Sequence, residues 1–240
     1  MNDLLARILS QHAAMPEGRS LLVGISGIDG SGKGYVAKQI EARLGQHSIA
    51  AANINADGWL NLPDTRFNSI EPAKHFYENA IRFDELFAKL VLPLRDHRSV
   101  DLVADFAEET ARNFGKHTYR FKDVGVVLVE GIFLFKREHR KVFDLAVWVE
   151  CSFPTALARA LARAQEGLSP AATIRAYETI YFPAQKIHFA RDNPRETANL
   201  IIDNDPEVSR GFRSRTRPES WVLKRESGSR SSIKAPAIRS

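Results

Sequence analysis

The stretch that most constrains the fold is residues 21–35, which read LLVGISGIDGSGKGY. An apolar run typical of a buried strand leads into a glycine-rich loop, and the VAKQIEARL that follows has helical spacing. Gly27, Gly32 and Lys33 fit the pattern G-x-x-x-x-G-K. Between a strand and a helix, such a loop directs backbone N–H groups and a helix N-terminus at one phosphate. The pattern therefore predicts a phosphate-binding loop, or P-loop, whose lysine reaches the outer phosphates of a nucleotide.

We expect the nucleotide to contact the whole loop and the first turn of the helix after it. One position departs from the usual motif, because Gly34 stands where a Ser or Thr hydroxyl normally contacts Mg²⁺. Either water or another side chain would then complete the coordination of the metal. The predicted ATP-binding residues are Gly27, Ile28, Asp29, Gly30, Ser31, Gly32, Lys33, Gly34 and Tyr35.

Charge is distributed unevenly along the 240 residues. Residues 209–240 hold nine Lys or Arg and two Asp or Glu, whereas the other 208 residues hold 25 and 27. We therefore predict a nearly neutral domain over residues 1–208 and a basic, mostly disordered tail over residues 209–240. The tail could contact nucleic acid or an acidic surface, but solvated flexibility is the simpler interpretation.

Features of membrane and secreted proteins are missing from the sequence. It contains no run of about twenty apolar residues, so we expect no transmembrane helix. The amphipathic N-terminus lacks the basic start and apolar core of a secretory signal, and we expect it to pack as a helix against the first strand. The single cysteine, Cys151, excludes an intrachain disulfide and fits a reducing cytosol. The sequence thus predicts a cytoplasmic protein and leaves an oligomer open.

Strand-like and helical segments alternate along most of the chain. This alternation predicts an α/β fold of the P-loop NTPase type, a three-layer sandwich around a parallel five-stranded sheet. Residues 57–122 form a long insertion between strands, with helical segments followed by a polar stretch, and we expect it to bind the second substrate. The strand candidates are residues 21–26, 49–55, 125–130, 144–150 and 198–203.

Two carboxylates follow predicted strands at the sheet edge where ligands bind in open α/β sheets. Asp57 follows IAAANINA and Glu130 follows VVLV, so both should converge on the P-loop. Glu130 can organise Mg²⁺ directly or through water. Asp57 can accept the proton of an attacking hydroxyl, bind the metal, or do both. The alternative for each is a carboxylate that caps a loop or a helix.

Two arginines four residues apart lie in TALARALARAQ and share one helix face. If this face meets the phosphates, Arg159 and Arg163 can stabilise charge on the phosphoryl group during transfer. The alternative is a solvated arginine face. The predicted catalytic residues are Asp57, Lys33, Arg159 and Arg163.

Taken together, these motifs make the chain resemble the uridine kinase and phosphoribulokinase group of P-loop kinases over residues 20–205. The resemblance is carried by GIDGSGK, ADGWL, VEGIFLF, the arginine-bearing helix and RAYETIYFPAQKIHFARDNPRETANLIIDND. It implies ATP–Mg²⁺ as phosphoryl donor, a small-molecule acceptor, Asp57 as the base, and Glu130 assisting the metal. It also implies a mobile lid over residues 155–175 that carries Arg159 and Arg163.

The resemblance further implies that Asp84, in RFDEL, binds sugar hydroxyls of the acceptor. True uridine kinases have Y-D-F followed by a histidine, whereas this chain has A-D-F at 104–106 followed by Glu108 and Glu109. Phe106 can still stack on a ring. We predict ATP-dependent phosphorylation of a small-molecule hydroxyl, with a nucleoside such as uridine as the first candidate. The alternatives are a non-nucleoside acceptor, a regulatory ATP-binding module, and an RNA-associated protein that acts through its tail.

Overall fold

A central parallel sheet organises the protein, whose computed structural model describes residues 1–164 and 167–206. The sheet has the strand order β2-β5-β1-β6-β7, and β3 and β4 form a separate antiparallel pair. The predicted sheet and its five strands are confirmed, whereas the tail predicted over residues 209–240 lies outside the described residues. The strands are β1 (Leu21–Gly27), β2 (Ala51–Asn55), β3 (Val100–Phe106), β4 (Gly115–Phe121), β5 (Val126–Gly131), β6 (Leu145–Glu150) and β7 (Leu200–Asp203).

Helices cover both faces of the sheet. Along β1, Leu21 and Val23 belong to one buried core, which they share with the first two helices, whereas Leu22 belongs to the other core. Because alternate strand residues point to opposite faces, this division defines a three-layer α/β sandwich. The helices are α1 (Asn2–Ala13), α2 (Lys33–Gln46), α3 (Pro63–Arg66), α4 (Pro72–Asn79), α5 (Phe83–Leu86), α6 (Leu92–His97), α7 (Phe153–Arg163), α8 (Pro170–Ala176), α9 (Phe182–Asp192) and α10 (Pro194–Thr197). None of these helices in the described ranges is long and apolar enough to cross a membrane.

Two helical stretches continue through π-helical segments, each of which precedes a proline. Phe87–Val91 joins α5 to α6, and Tyr177–Tyr181 joins α8 to α9. Pro93 and Pro183 follow these segments by two residues. Because proline has no N–H to donate and its ring clashes with the carbonyl four residues earlier, the helix widens locally to accommodate it. The second stretch thereby continues without a break from the P-loop side of the sheet into α9.

The β3–β4 hairpin was not predicted within the insertion. Most of its side chains are exposed or half-buried, so the strands bury little apolar surface, and the alternation of apolar and polar residues in the sequence is only partial. Trp59 stacks on Tyr119 of β4, with ring centroids 5.7 Å apart, and Phe106 packs against Gly58. These contacts hold the hairpin over the turn that follows β2, where Asp57 lies.

A buried polar network ties α9 to α4 beneath the site. Asp192 Oδ2 accepts hydrogen bonds from the Tyr77 hydroxyl at 2.5 Å and from His188 Nδ1 at 2.7 Å. Asp192 Oδ1 accepts a third from the Arg137 backbone N–H. Burial raises the pKa of Asp192, but the hydrogen bonds from His188 and Tyr77 outweigh burial and hold that pKa below its usual value. The ionised carboxylate therefore stabilises the fold.

We expect Tyr77→Phe to lower the free energy of unfolding at pH 7 by about 1–3 kcal/mol, because it removes one donor from a buried carboxylate. Chemical denaturation measures the change. Tyr35→Phe is the matched control, since the Tyr35 side chain is exposed. Equal stabilities of the two variants would contradict this account of the network.

Acid should weaken the same network. A carboxyl whose folded pKa is depressed contributes stability above its unfolded pKa of about 3.9 and loses it as the pH falls through the folded value. Wild type should therefore lose more unfolding free energy than Tyr77→Phe between about pH 5 and pH 3. Denaturation at both pH values tests this, and parallel losses in the two proteins would argue against it.

Candidate active site

The P-loop connects the carboxyl end of β1 to the first turn of α2. Gly32 has a φ of 92°, a left-handed conformation that favours glycine over residues with a side chain. The Lys33 side chain is buried, and its Nζ donates to the Ile28 carbonyl oxygen at 3.0 Å. A cavity of about 590 Å³ opens in front of the loop. Its walls include Asp29, Gly30, Gly32, Lys33, Gly34 and Tyr35, so the structure brings most of the predicted ATP-binding residues together.

Arg159 and Asn204 hold the P-loop by its backbone carbonyls. Arg159 Nη1 donates to the carbonyl oxygens of Gly30 and Ser31 at 3.2 and 3.3 Å, and its Nη2 donates to the Asn204 carbonyl at 2.7 Å. Asn204 Nδ2 donates to the Ser31 carbonyl at 2.7 Å. The guanidinium of Arg159 lines the phosphate cavity but is engaged with the loop. This geometry supports a positioning role for Arg159 beside the catalytic role predicted for it.

Arg163 lies one turn further along α7 and is more accessible. Its Nη2 is 3.5 Å from Asp29 Oδ1, and 41% of its side chain is exposed. Asp29 also accepts a hydrogen bond from the Tyr177 hydroxyl and one from the Gly30 N–H. Arg163 lines the phosphate cavity together with Lys33. Of the two predicted arginines, Arg163 has the geometry expected of a side chain that reaches a phosphoryl group.

The two predicted carboxylates converge on Lys33. Asp57 lies in the turn after β2, and Glu130 lies at the end of β5, paired in register with Asn55. Burial raises the pKa of Glu130 to about 7, with Lys33 lowering it and Asp57 raising it. Burial also raises the pKa of Asp57, again opposed by Lys33. Two carboxylates with raised pKa values beside one lysine form a cluster that gains from a further cation.

A side chain at position 34 would crowd the Glu130 carboxylate. A Cβ built on Gly34 would lie 3.2 Å from Glu130 Oε1. The Glu130 side chain is only 7% exposed, so it has little freedom to withdraw. The departure from the usual motif therefore has a physical reason. The missing Ser or Thr makes room for a carboxylate at the first turn of α2.

The oxygen ligands at this edge of the sheet fit Mg²⁺. Mg²⁺ is usually held by one or two carboxylates together with substrate phosphates and water, and Glu130 and Asp57 both line the phosphate cavity. Among the described residues, no group of three or more His, Cys, Asp or Glu side chains forms a metal cage. The donors present are thus suited to a metal that arrives with a nucleotide.

A second cavity, of about 520 Å³, lies between Asp57 and the β3–β4 hairpin. Phe106 stacks on His117 with ring centroids 5.3 Å apart, and His117 contacts Tyr119 edge-on at 4.5 Å. His117 and Tyr119 are two residues apart on β4 and share a face. A histidine and a tyrosine, which the segment at 104–109 lacks, are thus supplied by the neighbouring strand. In the sequence, the signal for this pair is the two-residue spacing of His117 and Tyr119 in KHTYR, which places both side chains on one face of a strand.

A third cavity, of about 350 Å³, opens beside Asp57 towards α3 and α9. Arg66 ends α3, Gln185 lies in α9, and both side chains are buried against this cavity. Tyr181 and Glu109 also line it. The sequence offers no local signal for this grouping, because Arg66 and Gln185 are brought together only by the packing of the insertion against α9.

The role that the resemblance implied for Asp84 is not supported by its position. Asp84 is exposed at the start of α5 and lines a separate cavity with Lys136 and His139, which Asp57 does not line. Asp84 is therefore not part of the site described here, and residues on β4, α3 and α9 line the cavities beside Asp57.

A parallel sheet of this order, with a P-loop after β1 and carboxylates after β2 and β5, defines a P-loop kinase fold. The model of the phosphoribulokinase / uridine kinase family matches residues 22–178. The chain belongs to the phosphoribulokinase and uridine kinase family. As a member of it, the protein is a small-molecule kinase.

Known relatives agree with this family. A uridine kinase of Staphylococcus haemolyticus is 26% identical over 167 residues, which cover 68% of this chain and 78% of the relative. A solved structure described as a possible uridine kinase from Bacillus stearothermophilus has a TM-score of 0.65 at 20% identity, covering 84% of this chain and 98% of the other. The D-glycerate 3-kinase of Cryptococcus neoformans has a TM-score of 0.57 at 13% identity, with 84% and 94% covered. The two structures share the fold.

We expect Gly34→Ala to weaken metal binding, because the added Cβ would displace the Glu130 carboxylate. In the presence of ADP, the dissociation constant for Mn²⁺, measured by electron paramagnetic resonance, should rise about tenfold. Gly45→Ala is the matched control on the same helix, since a Cβ there meets nothing within 4 Å. Equal Mn²⁺ affinities in the two variants would show that Glu130 does not depend on the space at position 34.

The two arginines of α7 should separate in their effects. Arg159→Ala leaves three backbone carbonyls without this donor, so we expect it to lower the free energy of unfolding by about 1–3 kcal/mol and to weaken ATP binding. Arg163→Ala should retain stability and ATP affinity but lower the turnover number. Denaturation, ATP titration and ADP release measure the three quantities. The same pattern in both variants would refute the division of roles.

Proposed function

We propose that this kinase transfers the γ-phosphoryl group of ATP to a hydroxyl of a small molecule, with Asp57 as the base. Membership of the family supports the reaction class. The P-loop and Lys33 support a nucleoside triphosphate as the donor. The cluster of Glu130 and Asp57 supports Mg²⁺ as its companion. The cytoplasm remains the proposed compartment, and an oligomer remains open.

One observation carries the proposal, which is that Asp57 lines three different cavities. It borders the phosphate cavity in front of the P-loop, the aromatic cavity under the hairpin and the cavity at Arg66. A base must contact the acceptor hydroxyl on one side and lie near the transferring phosphorus on the other. The location of Asp57 on the walls of all of these cavities supports this role. The Asp57 backbone N–H donates a hydrogen bond to Asn55 Oδ1 at 2.8 Å, which stabilises the turn that carries the Asp57 carboxylate.

In the proposed step, the Asp57 carboxylate accepts the proton of the acceptor hydroxyl. The hydroxyl oxygen forms a bond to the γ-phosphorus, while the bond to the β–γ bridging oxygen breaks and ADP leaves. Lys33 and Arg163 supply positive charge where the phosphoryl oxygens would lie. Bound Mg²⁺, held by Glu130 and Asp57, would neutralise phosphate charge. Most of the rate enhancement would come from positioning and electrostatics.

Two acceptor classes have support. A nucleoside such as uridine is supported by the similarity to uridine kinases and by the rings of Phe106, His117 and Tyr119, on which a base could stack. A non-nucleoside acceptor is supported by the buried polar side chains of Arg66 and Gln185. A nucleoside would occupy the aromatic cavity under the hairpin, whereas a non-nucleoside acceptor would occupy the cavity at Arg66.

The test is ADP release with ATP–Mg²⁺ and a panel of acceptors that includes uridine, cytidine, sugars, sugar phosphates and hydroxy acids. We expect one class to exceed the background without acceptor. Asp57→Asn should then lower turnover about 10²–10⁴-fold, far more than it lowers ATP affinity, because the amide cannot accept the proton. Asp101→Asn, an exposed carboxylate on β3, is the control.

Near-normal turnover in Asp57→Asn would remove Asp57 from the base role. ATP binding without phosphoryl transfer to any acceptor would favour a regulatory nucleotide-binding module instead. The regulatory alternative is based on Gly34, which replaces the Ser or Thr that normally contacts Mg²⁺. The Glu130 carboxylate lies beside Gly34, however, and this arrangement is compatible with an active site. Kinase turnover is therefore the leading proposal.

A further inference from the structure

The cavity beside Asp57 at α3 and α9 contains two buried polar side chains. Arg66 is 4% exposed and Gln185 is 1% exposed, and both line this space of about 350 Å³. Arginine and glutamine are mostly found at protein surfaces, and arginine is almost never fully buried without a partner. Their common burial next to the proposed base needs an explanation.

Both side chains have polar atoms without a hydrogen-bond partner among the described residues. These atoms are Arg66 Nε and both the Oε1 and Nε2 of Gln185. Arg66 Nη2 donates to the Glu109 carbonyl at 2.6 Å, which fixes the plane of the guanidinium. Leaving buried donors and acceptors unpaired is unfavourable. A fixed guanidinium with a free N–H, next to a free amide, is thus a preformed binding surface.

The Arg66 guanidinium is buried among ionisable neighbours. Burial lowers the pKa of Arg66, and the neighbouring Tyr181, Glu109 and Asp57 raise it by less. Arg112, exposed at the edge of the same cavity, is a second cationic side chain there, and Asp29, Asp57 and Glu109 also line the cavity. A bound oxyanion would pair with the guanidinium through charge-assisted hydrogen bonds, for which the arginine fork is suited.

We propose that the phosphoryl acceptor carries a carboxylate or phosphate group, which Arg66 and Gln185 bind while its hydroxyl meets Asp57. The inference rests on the proposed kinase function and adds the class of acceptor. Arg66 donates Nε–H to the anion and Gln185 Nε2 donates a second hydrogen bond. Gln185 Oε1 accepts a hydroxyl of the same molecule. A neutral nucleoside stacked under the hairpin would leave these groups unused.

The experiment compares acceptors in pairs that differ in the anion. D-Glycerate is paired with glycerol, and ribose 5-phosphate with ribose, with uridine as the neutral nucleoside. In ADP-release assays with ATP–Mg²⁺, kcat/KM of an anionic member should exceed that of its neutral partner at least about tenfold. The first pair tests a carboxylate and the second a phosphate. Preference for a neutral sugar or for uridine would overturn the inference and leave the kinase function intact.

Variants connect the preference to the site. Arg66→Gln and Gln185→Glu should each raise KM for the anionic acceptor about tenfold or more, and KM for ATP should not change. Gln185→Glu is nearly isosteric and places a negative charge in the cavity, so it tests the idea even if Arg66→Gln folds poorly. Arg120→Gln, an exposed arginine on β4, is the matched control.

Direct binding decides the case if turnover is flat for the whole panel. Calorimetric titration of D-glycerate and of ribose 5-phosphate into the protein saturated with a non-hydrolysable ATP analogue should give binding that Gln185→Glu weakens about tenfold. Such binding without turnover would count against the kinase function but support the anion site. Binding of neither anion, or binding equal in wild type and Gln185→Glu, would overturn the inference.

Discussion

The site depends on the hydrogen bonds that hold the P-loop carbonyls from outside the loop. The backbone carbonyl oxygens of Gly30 and Ser31 accept hydrogen bonds from Arg159, and the Ser31 carbonyl also accepts one from Asn204. These partners come from α7 and from the end of β7, so the loop is fixed by elements more than a hundred residues away. A loop that must present N–H groups to phosphates needs its carbonyls satisfied elsewhere. The β1–α2 turn, α7 and β7 therefore form one structural unit.

Electrostatics at the sheet edge follow from burial. Burial raises the pKa of both Glu130 and Asp57, and the negative charge of Asp57 raises the pKa of Glu130 further. Lys33 lowers both pKa values but is a single positive charge. A nucleotide with its metal brings negative phosphates and a divalent cation to a place that already holds both signs of charge. Gly34 belongs to this arrangement because a side chain there would crowd the Glu130 carboxylate.

The cavities proposed to bind the acceptor are lined by distant parts of the chain. The hairpin provides Phe106, His117 and Tyr119, whereas α3 and α9 provide Arg66 and Gln185. The buried network of Tyr77, His188 and Asp192 keeps α9 against α4, and so keeps Gln185 beside Asp57.

The sequence by itself determined the parallel sheet, the P-loop and the two carboxylates at the strand ends. Each has a local signal, since a strand buried on both faces is continuously apolar and a glycine-rich turn before a helix has a recognisable pattern. Only the tertiary structure decided the rest. It directed Arg159 to the loop carbonyls, placed Asp84 at a cavity that Asp57 does not line, and placed Arg66 and Gln185 at one cavity. The β3–β4 hairpin was hidden because its strands bury little apolar surface. Contacts between residues far apart in sequence leave no periodic trace, because they depend on how elements pack and not on the spacing within one element.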